Sequence, residues 1–223
     1  MKIGAVVPVY NRENFIGPYL DMLLDFGIKP VVVLSDGPWL NATDESTVPD
    51  RTSDILNKFY SDIQVCRGTF PNHKSSVNVA IRNLQDQDLI LVNDCDMYIT
   101  KEDWTKFIDF VNSNWRHDVF SINFEKMIME YYYDWRYGKE ALRGGDYPIV
   151  AMRPGIEFVH MTRASSDNEV VWNVDGPKFH HMRFCKKGRQ DNRCVEPVEK
   201  TLPSAPKEVA DRLIKWQEIL KTL

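Results

Sequence analysis

Short apolar runs alternate with segments of helical periodicity through the first half of the chain. Residues 2–9, 31–34 and 89–92 form runs dominated by consecutive apolar residues, which is typical of strands that are buried on both faces. Between the first two runs, apolar residues recur at helical spacing: Phe15, Tyr19, Met22, Leu23 and Phe26. Strands that alternate with helices in this way predict an α/β/α sandwich around a mostly parallel sheet.

Residues that begin or end helices support this pattern. Gly27 follows the first helical segment and predicts its end. Thr100-Lys-Glu-Asp103 has the form of a capping box and predicts the start of a later helix. The same periodicities predict helices over 50–60 and 75–84 and strands over 63–66 and 118–124.

The last part of the chain is set apart by a proline-rich break at 202–206. Residues 207–223 then place Val209, Leu213, Trp216 and Leu220 along one stripe of an amphipathic helix. Such a helix can pack on its own domain, lead into a further domain, or bind a partner. The sequence leaves these three alternatives open.

Composition and charge narrow the class of protein. The chain has 223 residues and a formal net charge of −4, which argues against nucleic acid as its main partner. No apolar run is long enough to cross a membrane, and the chain opens directly on a strand, so we expect neither a transmembrane helix nor a signal peptide. The four cysteines lack C-x-x-C spacing, which favours a reducing, cytoplasmic location over a disulfide framework or a zinc site.

The strand at 89–92 ends in two acids, Asp94 and Asp96, on either side of Cys95. If the strand continued, this spacing would place both carboxylates on one side, at an exposed strand end. The carboxyl ends of strands are where open α/β sheets bind ligands, and two adjacent carboxylates suit a hard divalent cation. The alternative is a polar loop that caps the next helix.

Further polar motifs end the neighbouring strands and together resemble one known family. They are 6–12 (Val-Val-Pro-Val-Tyr-Asn-Arg), 35–37 (Ser-Asp-Gly), 74–78 (Lys-Ser-Ser-Val-Asn) and 93–96 (Asn-Asp-Cys-Asp). In this order and spacing they resemble the signatures of GT-A fold glycosyltransferases, particularly the family-2-like inverting enzymes. The resemblance covers residues 1 to about 125 and implies a Rossmann-like GT-A sandwich that binds a nucleotide sugar.

The resemblance also implies roles for individual residues. Tyr10 would lie against the base, Asp36 would accept a hydrogen bond from the base imide, and Asp94 would meet the ribose or a metal-bound water. Asp96 would ligate Mn²⁺ or Mg²⁺ directly. The remaining donor-site residues that it implies are Pro8, Arg12, Asn78, Arg82 and Cys95.

The second half departs from the family pattern, because no Glu-Asp pair follows Glu102-Asp103 to supply the usual general base. Asp134, which follows three tyrosines and precedes Trp135, is the best substitute, since aromatic rings suit a sugar. Glu130 and Glu157 compete with it.

Two adjacent histidines lie late in the chain, at 180 and 181. In GT-A enzymes a histidine in this region often completes the metal shell. Because neighbouring residues of a strand face opposite sides, we expect only one of the two to be a ligand. We name His180 for this role, and the sequence leaves His181 open as the alternative. The other histidines, His73 among them, are given structural roles.

The sequence thus predicts a GT-A domain over 1–200, with a nucleotide-binding half at 1–100 and an acceptor-side half at 101–200, followed by the helix at 201–223. Its predicted activity is metal-dependent, inverting transfer from a nucleotide sugar, UDP-sugar favoured, to a hydroxyl of a glycan or other acceptor. A catalytically inactive sugar-nucleotide binder is the main alternative. A haloacid-dehalogenase-type phosphatase is less favoured, because Tyr98 stands where that motif has Thr or Val.

Overall fold

The computed structural model describes residues 1–38, 49–122, 149–160, 163–172, 179–181 and 206–223. The strands are β1 Ile3–Val9, β2 Lys29–Ser35, β3 Gln64–Gly68, β4 Leu89–Val92, β5 Met97–Ile99, β6 Val119–Ile122, β7 Ile149–Met152, β8 Phe158–His160, β9 Arg163–Ala164, β10 Glu169–Trp172 and β11 Phe179–His181. The helices are α1 Glu13–Asp25, α2 Thr52–Asn57, α3 His73–Arg82, α4 Lys101–Ser113 and α5 Lys207–Thr222.

Seven strands form the central sheet in the order β10-β6-β7-β4-β1-β2-β3. Strands β1, β2, β3 and β4 pair in parallel, β10 is parallel to β6, and β7 runs antiparallel to both of its neighbours. Two short antiparallel pairs, β11 with β5 and β8 with β9, lie outside this sheet. The predicted mostly parallel α/β architecture is therefore confirmed.

Residues of each central strand alternate between two apolar cores. In β1, Ala5, Val7 and Val9 belong to a core that also contains residues of α1, α2, α4 and α5. Val6 belongs to the other core, which contains the apolar face of α3. Because both faces of the strand are covered by helices, every position tends to be apolar, which explains the unbroken runs in the sequence.

Local signals set the helix ends close to the predicted positions. Gly27 has a φ of 69° just after α1, a left-handed conformation that glycine adopts without strain. The hydroxyl of Thr100 accepts a hydrogen bond of 3.1 Å from the backbone N–H of Asp103 and begins α4. Helix α3 begins two residues before the predicted position, because the side chain of Asn72 accepts from the backbone N–H of Ser75 at 2.9 Å.

Helix α5 packs on α1, the first of the alternatives considered for the C-terminal segment. Its predicted apolar stripe is buried. A Cβ atom on Gly17 of α1 would lie 2.4–2.6 Å from the ring of Trp216, so the two helices approach closely at this glycine. The indole N–H of Trp216 also donates to Asp21 at 2.7 Å. The stripe is thus accounted for within the chain.

The described helices were also compared with the length and hydropathy that a membrane span requires. Within this part of the chain, no helix is both long enough and apolar enough to cross a bilayer.

Candidate functional site

The polar ends of β1, β2 and β4 lie at one edge of the sheet, as the sequence predicts for parallel neighbours. The register pairs Val9 with Leu34 near the carboxyl ends of β1 and β2, and Val6 with Val92 where β4 ends. Asp36 follows β2 with an exposed side chain, and its backbone N–H donates to the carbonyl of Gly68 at 2.9 Å. This edge therefore presents a carboxylate to solvent beside the switch in strand order, where open α/β sheets bind ligands.

The acids that follow β4 lie in a turn and not in a continued strand. The backbone N–H of Met97 donates to the carbonyl of Asp94 at 3.0 Å and closes the turn before β5 begins. The side chain of Asp94 is 44% exposed, whereas Asp96 is 1% exposed. The prediction of two equally placed acids at an exposed strand end is therefore wrong, because the turn abolishes the strand alternation that it relied on.

A cleft opens beside Asp94 at this edge. Its empty volume is about 380 Å³ with the open mouth included. It is lined by Pro8, His73, Val77, Val92, Asn93, Asp94, Met97, Ile149 and Phe158. Two residues of the predicted donor site, Pro8 and Asp94, thus lie on one cleft, and Asp94 is the acidic side chain in its wall.

His73 is a cleft residue that the sequence reading did not select. Its Nε2 lies 3.3 Å from Oδ1 of Asp94, and its ring packs edge-on against Phe158 with 5.7 Å between ring centroids. The helical periodicity predicts that α3 starts at residue 75, which places His73 before the helix. Asn72 is a residue type that caps helices, and this signal would have predicted that His73 lies in the first turn of α3. The first turn of α3 lies at the carboxyl edge of the sheet.

The loop between β1 and α1 carries Tyr10, Asn11 and Arg12. Asn11 has a φ of 49°, the left-handed region. Tyr10 is 4% exposed, which leaves little of its ring for the predicted contact with a base. The guanidinium of Arg12 donates to the carbonyls of Tyr10 and Asn11 at 3.0 and 3.1 Å. In this structure Arg12 therefore stabilises the loop itself.

Two predicted donor-site residues on α3 are placed elsewhere. The side-chain amide of Asn78 donates to the carbonyl of Phe158 at 2.8 Å and accepts from its N–H at 3.0 Å, so it anchors β8. Arg82 is exposed at the end of α3, beside Asn83, which bonds to Gln64 at the start of β3. That is the opposite edge of the sheet. Asn78 and Arg82 are four residues apart and so lie on the same face of α3, but they lie at different distances from the carboxyl edge of the sheet.

A buried tyrosine lies behind the acidic turn. Tyr19 is completely buried in α1 and packs edge-on against Tyr98, with ring centroids 6.0 Å apart. Burial raises the pKa of its hydroxyl well above the usual value, and the neighbouring ionisable groups of Cys95, Asp94 and Asp96 raise it further. The hydroxyl is therefore protonated throughout the physiological range. Cys95, 2% exposed, contributes to this buried layer, which leaves it little surface for the predicted donor contact.

The remaining site predictions concern the base and the histidines. Asp134 and Glu130 lie outside the described residues. Glu157 is exposed and directly precedes Phe158 of the cleft wall. Strand β11 pairs with β5 so that His181 is opposite Met97 and His180 opposite Tyr98. The side chains of both histidines lie outside the described part of the structure, so the choice between them stays a prediction.

The acidic turn at 94–96 carries carboxylates of the type that bind Mg²⁺ or Mn²⁺. Carboxylate oxygens are hard ligands, and Mg²⁺ typically takes one or two of them and completes its shell with water and substrate phosphates. Within the described ranges, no group of three or more His, Cys, Asp or Glu side chains could hold a metal ion. Asp94, which is half-buried in the cleft wall, can present its carboxylate to a cation in the cleft, whereas Asp96 is enclosed by the turn.

The mostly parallel sheet and an acidic cleft at its carboxyl edge are features of the nucleotide-binding α/β class. Within that class, the family model described as "Glycosyl transferase family 2" matches residues 5–174, which is more than half of the chain. The chain belongs to glycosyl transferase family 2 and is a glycosyltransferase. The predicted GT-A fold and enzyme class are confirmed.

Solved structures share this fold. Residues 1–349 of TarS from S. aureus match with a TM-score of 0.51 and 18% identity over 96% of this chain and 72% of that one. The mannosyltransferase PcManGT from Pyrobaculum calidifontis, in complex with GDP-Man and Mn²⁺, matches 54% of this chain and 35% of its own, with a TM-score of 0.43 and 15% identity. A 4-diphosphocytidyl-2C-methyl-D-erythritol synthase from Anaerococcus prevotii matches 97% of this chain and 96% of its own, with a TM-score of 0.46 and 12% identity. The similarity to TarS shows a shared fold alone, and the other two similarities are too distant to carry an argument.

A search of curated protein sequences finds no significant match.

Proposed function

We propose that the protein transfers a sugar from a nucleotide-sugar donor, UDP-sugar favoured, to a hydroxyl of a glycan or other acceptor, in a metal-dependent reaction that inverts the anomeric centre. The observation that carries this proposal is the acidic turn at 94–96, which borders a cleft at the carboxyl edge of the sheet. Family membership supplies the reaction class.

Asp94 and Asp96 would hold Mn²⁺ or Mg²⁺, with a histidine of β11 as a further ligand. A bound cation would neutralise the charge that develops on the diphosphate leaving group. Asp94 is half-buried in the cleft wall and can reach a ligand there, whereas Asp96 lies deeper in the turn.

Asp36 would select the base. Its carboxylate is exposed at the carboxyl edge, one strand away from β1 and two from the acidic turn. A carboxylate can accept a hydrogen bond from the imide N–H of uracil, which is why a uridine donor is favoured. Guanine also carries a ring N–H that a carboxylate can accept from, so GDP-sugars are the donors to compare with it.

Asp134 would act as the general base toward the acceptor hydroxyl. It lies in an aromatic segment suited to a sugar, and an inverting transfer requires one ionised carboxylate within reach of that hydroxyl. Glu130 is its nearest competitor in sequence. Glu157 competes because it is exposed and adjoins Phe158 in the cleft wall.

A second candidate function is donor binding without transfer. The observation that favours it is the role of Asp103, which is bonded to Thr100 at the start of α4 and so belongs to a helix cap. The last Glu-Asp pair of the sequence is thereby used in capping, as predicted. The phosphatase alternative is wrong, because the chain belongs to a glycosyltransferase family.

Thermal stabilisation by a panel of nucleotide sugars tests the proposal. Each of the UDP-, GDP-, CDP- and dTDP-sugars is added with Mn²⁺, with Mg²⁺ or with excess chelator. We expect UDP-sugars to raise the melting temperature only when a metal is present, since a ligand that binds the folded state stabilises it. Stabilisation that is equal in chelator would contradict the metal dependence. Stabilisation without any sugar transfer would favour the second candidate function.

A further inference from the structure

We propose that Arg51 is a positioning residue that couples the C-terminal helix α5 to the β1–α1 loop of the donor site. The inference rests on the proposed function, because it assumes that this loop borders the bound nucleotide. Arg51 itself lies between α5 and the loop and has no place among the predicted site residues.

The side chain of Arg51 contacts both segments at once. Its Nη1 donates to the backbone carbonyl of Leu220 in the last turn of α5. Its Nε donates to Oε2 of Glu13 at 3.1 Å, and the same carboxylate oxygen accepts from the backbone N–H of Arg51 at 3.2 Å. The carbonyls of a last helical turn have no partner within the helix, so a cation there is favourable.

A continuous set of hydrogen bonds leads from Arg51 to the loop. The carboxylate of Asp50 accepts from the backbone N–H of Glu13 at 3.0 Å and from that of Thr52 at 2.8 Å. The backbone N–H of Asp50 donates to Oδ1 of Asn11 at 3.1 Å. The backbone N–H of Arg12 donates to the hydroxyl of Thr52 at 2.7 Å. Residues 50–52 therefore hold residues 11–13 by both backbone and side-chain contacts.

The contacts from residues 50–52 hold an unusual backbone conformation in the loop. Asn11, at a φ of 49°, is in the left-handed region, where asparagine is found more often than most residues other than glycine. Such conformations persist when the surrounding structure fixes them, and they cluster at binding sites. The contact from Asp50 to Asn11 fixes this residue directly, between Tyr10 and Arg12 at the carboxyl end of β1.

Helix α5 is a firm anchor for this arrangement. It is fixed to α1 by the close contact of Trp216 with Gly17 and by the ion pair of Arg212 with Asp25 at 2.8 Å. Arg212 lies in the first half of α5, whereas Leu220 lies in its last turn. Of these α5 contacts, the one made by Arg51 is the contact that leads to the loop.

Arg51→Ala, compared with Arg212→Ala, tests the proposal. Arg51→Ala removes the contact with Leu220 of α5 and the ion pair with Glu13 beside the loop. Arg212→Ala removes the ion pairs with Asp25 and Glu208, neither of which leads to the loop. We measure the dissociation constant for UDP with Mn²⁺, the donor KM and kcat, the melting temperature, and the hydrogen exchange of peptides that cover 9–16 and 49–53. Melting temperatures show whether the two variants are destabilised to a similar degree.

In Arg51→Ala we expect UDP affinity to fall and donor KM to rise by about three- to tenfold, the size usual for coupling between residues in contact. We expect kcat to be unchanged and exchange at 9–16 to be faster. Arg212→Ala should retain wild-type UDP affinity. Arg51→Lys keeps the charge but cannot reach both acceptors with the same geometry, so we expect it to retain the binding defect.

Equal UDP affinities in Arg51→Ala and Arg212→Ala, or full rescue by Arg51→Lys, would overturn the inference and leave the proposed function standing. Unchanged hydrogen exchange at 9–16 in Arg51→Ala would overturn it as well. If the wild-type protein binds no nucleotide of the panel, the proposed function fails, and the role of Arg51 in donor binding fails with it.

Discussion

The two edges of the central sheet both carry polar side chains, but they use them differently. At the amino edge, Asp88 accepts a hydrogen bond from the backbone N–H of Lys2 at 2.6 Å. Arg153 donates there to the carbonyls of Asp88 and Trp115, each at 2.9 Å. At the carboxyl edge, Asp36 is exposed to solvent and Asp94 lines a cleft.

The difference shows which polar strand ends indicate function. At the amino edge, side chains close loops by bonding to backbone groups that would otherwise lack partners. At the carboxyl edge, Asp94 lies in the cleft wall and Asp36 is exposed, so a ligand can reach both carboxylates. A polar residue at the end of a strand or helix therefore indicates function only when the edge of the sheet at which it lies is known. Arg82, a predicted donor-site residue, ends α3 at the amino edge.

The largest effect is expected from Asp134, the residue that we propose as the general base. Asp134→Asn should lower the rate of transfer by about 10²–10⁴-fold, the usual cost of removing a general base. UDP affinity with Mn²⁺ should be unchanged, because the base is required only by the acceptor. Steady-state transfer assays together with calorimetry measure both. A variant that transfers at the wild-type rate would move the role to Glu130 or Glu157.

The second-largest effect is expected from Asp94, the acid in the cleft wall. Asp94→Asn should lower kcat/KM by about 10²–10³-fold, a loss typical of removing one group that stabilises developing charge. It should also raise the Mn²⁺ concentration that gives half-maximal activity. Asp88→Asn is the matched control, since it changes an acid of the amino edge and should leave the Mn²⁺ dependence unaltered. Identical metal titrations for the two variants would contradict the contrast between the edges.

Base selection at β2 is expected to have a smaller effect. Asp36→Ala should weaken UDP binding by about 1.5–3 kcal/mol, the usual contribution of a hydrogen bond to a charged group. Calorimetry with UDP measures this difference. Arg82→Ala is the control at the opposite edge and should bind UDP as the wild-type protein does. If Asp36→Ala keeps full UDP affinity while Arg82→Ala loses it, our assignment of the edges is wrong.

The smallest effect on binding is expected at the amino edge. Arg153→Ala should lower the free energy of unfolding by about 1–3 kcal/mol, because backbone carbonyls lose a charged donor. It should leave the affinity for UDP with Mn²⁺ unchanged. Chemical denaturation and calorimetry on the same preparation separate the two quantities. A loss of UDP affinity without a loss of stability would show that the amino edge takes part in binding.

Much of this organisation could be predicted from the sequence. Unbroken apolar runs such as 31–34 require a strand covered on both faces, so the parallel sheet follows from composition and spacing. Because parallel strands end at one edge, the convergence of Asp36 with Asp94 also followed. The capping box at Thr100 was readable because it is a local interaction, made within four residues.

The features that could not be predicted depend on tertiary contacts. The burial of Asp96 results from a turn whose closure a strand pattern does not encode. The role of Asn78 depends on Phe158, 80 residues away in sequence. The support of the β1–α1 loop by Arg51 depends on the distant residue Leu220. Periodicity in the sequence predicts which face of a helix or strand is buried. The burial of Asp96 depends instead on a turn, and the roles of Asn78 and Arg51 depend on which distant residues they contact.

The central claim is that a divalent cation and a uridine nucleotide bind together at the carboxyl edge. Anomalous diffraction from crystals of the wild-type protein grown with Mn²⁺ and UDP tests this most directly. The account predicts a manganese peak at the acidic turn, ligated by Asp94 or Asp96 and by the diphosphate, with the uracil at Asp36. A nucleotide bound at the amino edge, or a manganese peak remote from the acidic turn, would contradict it.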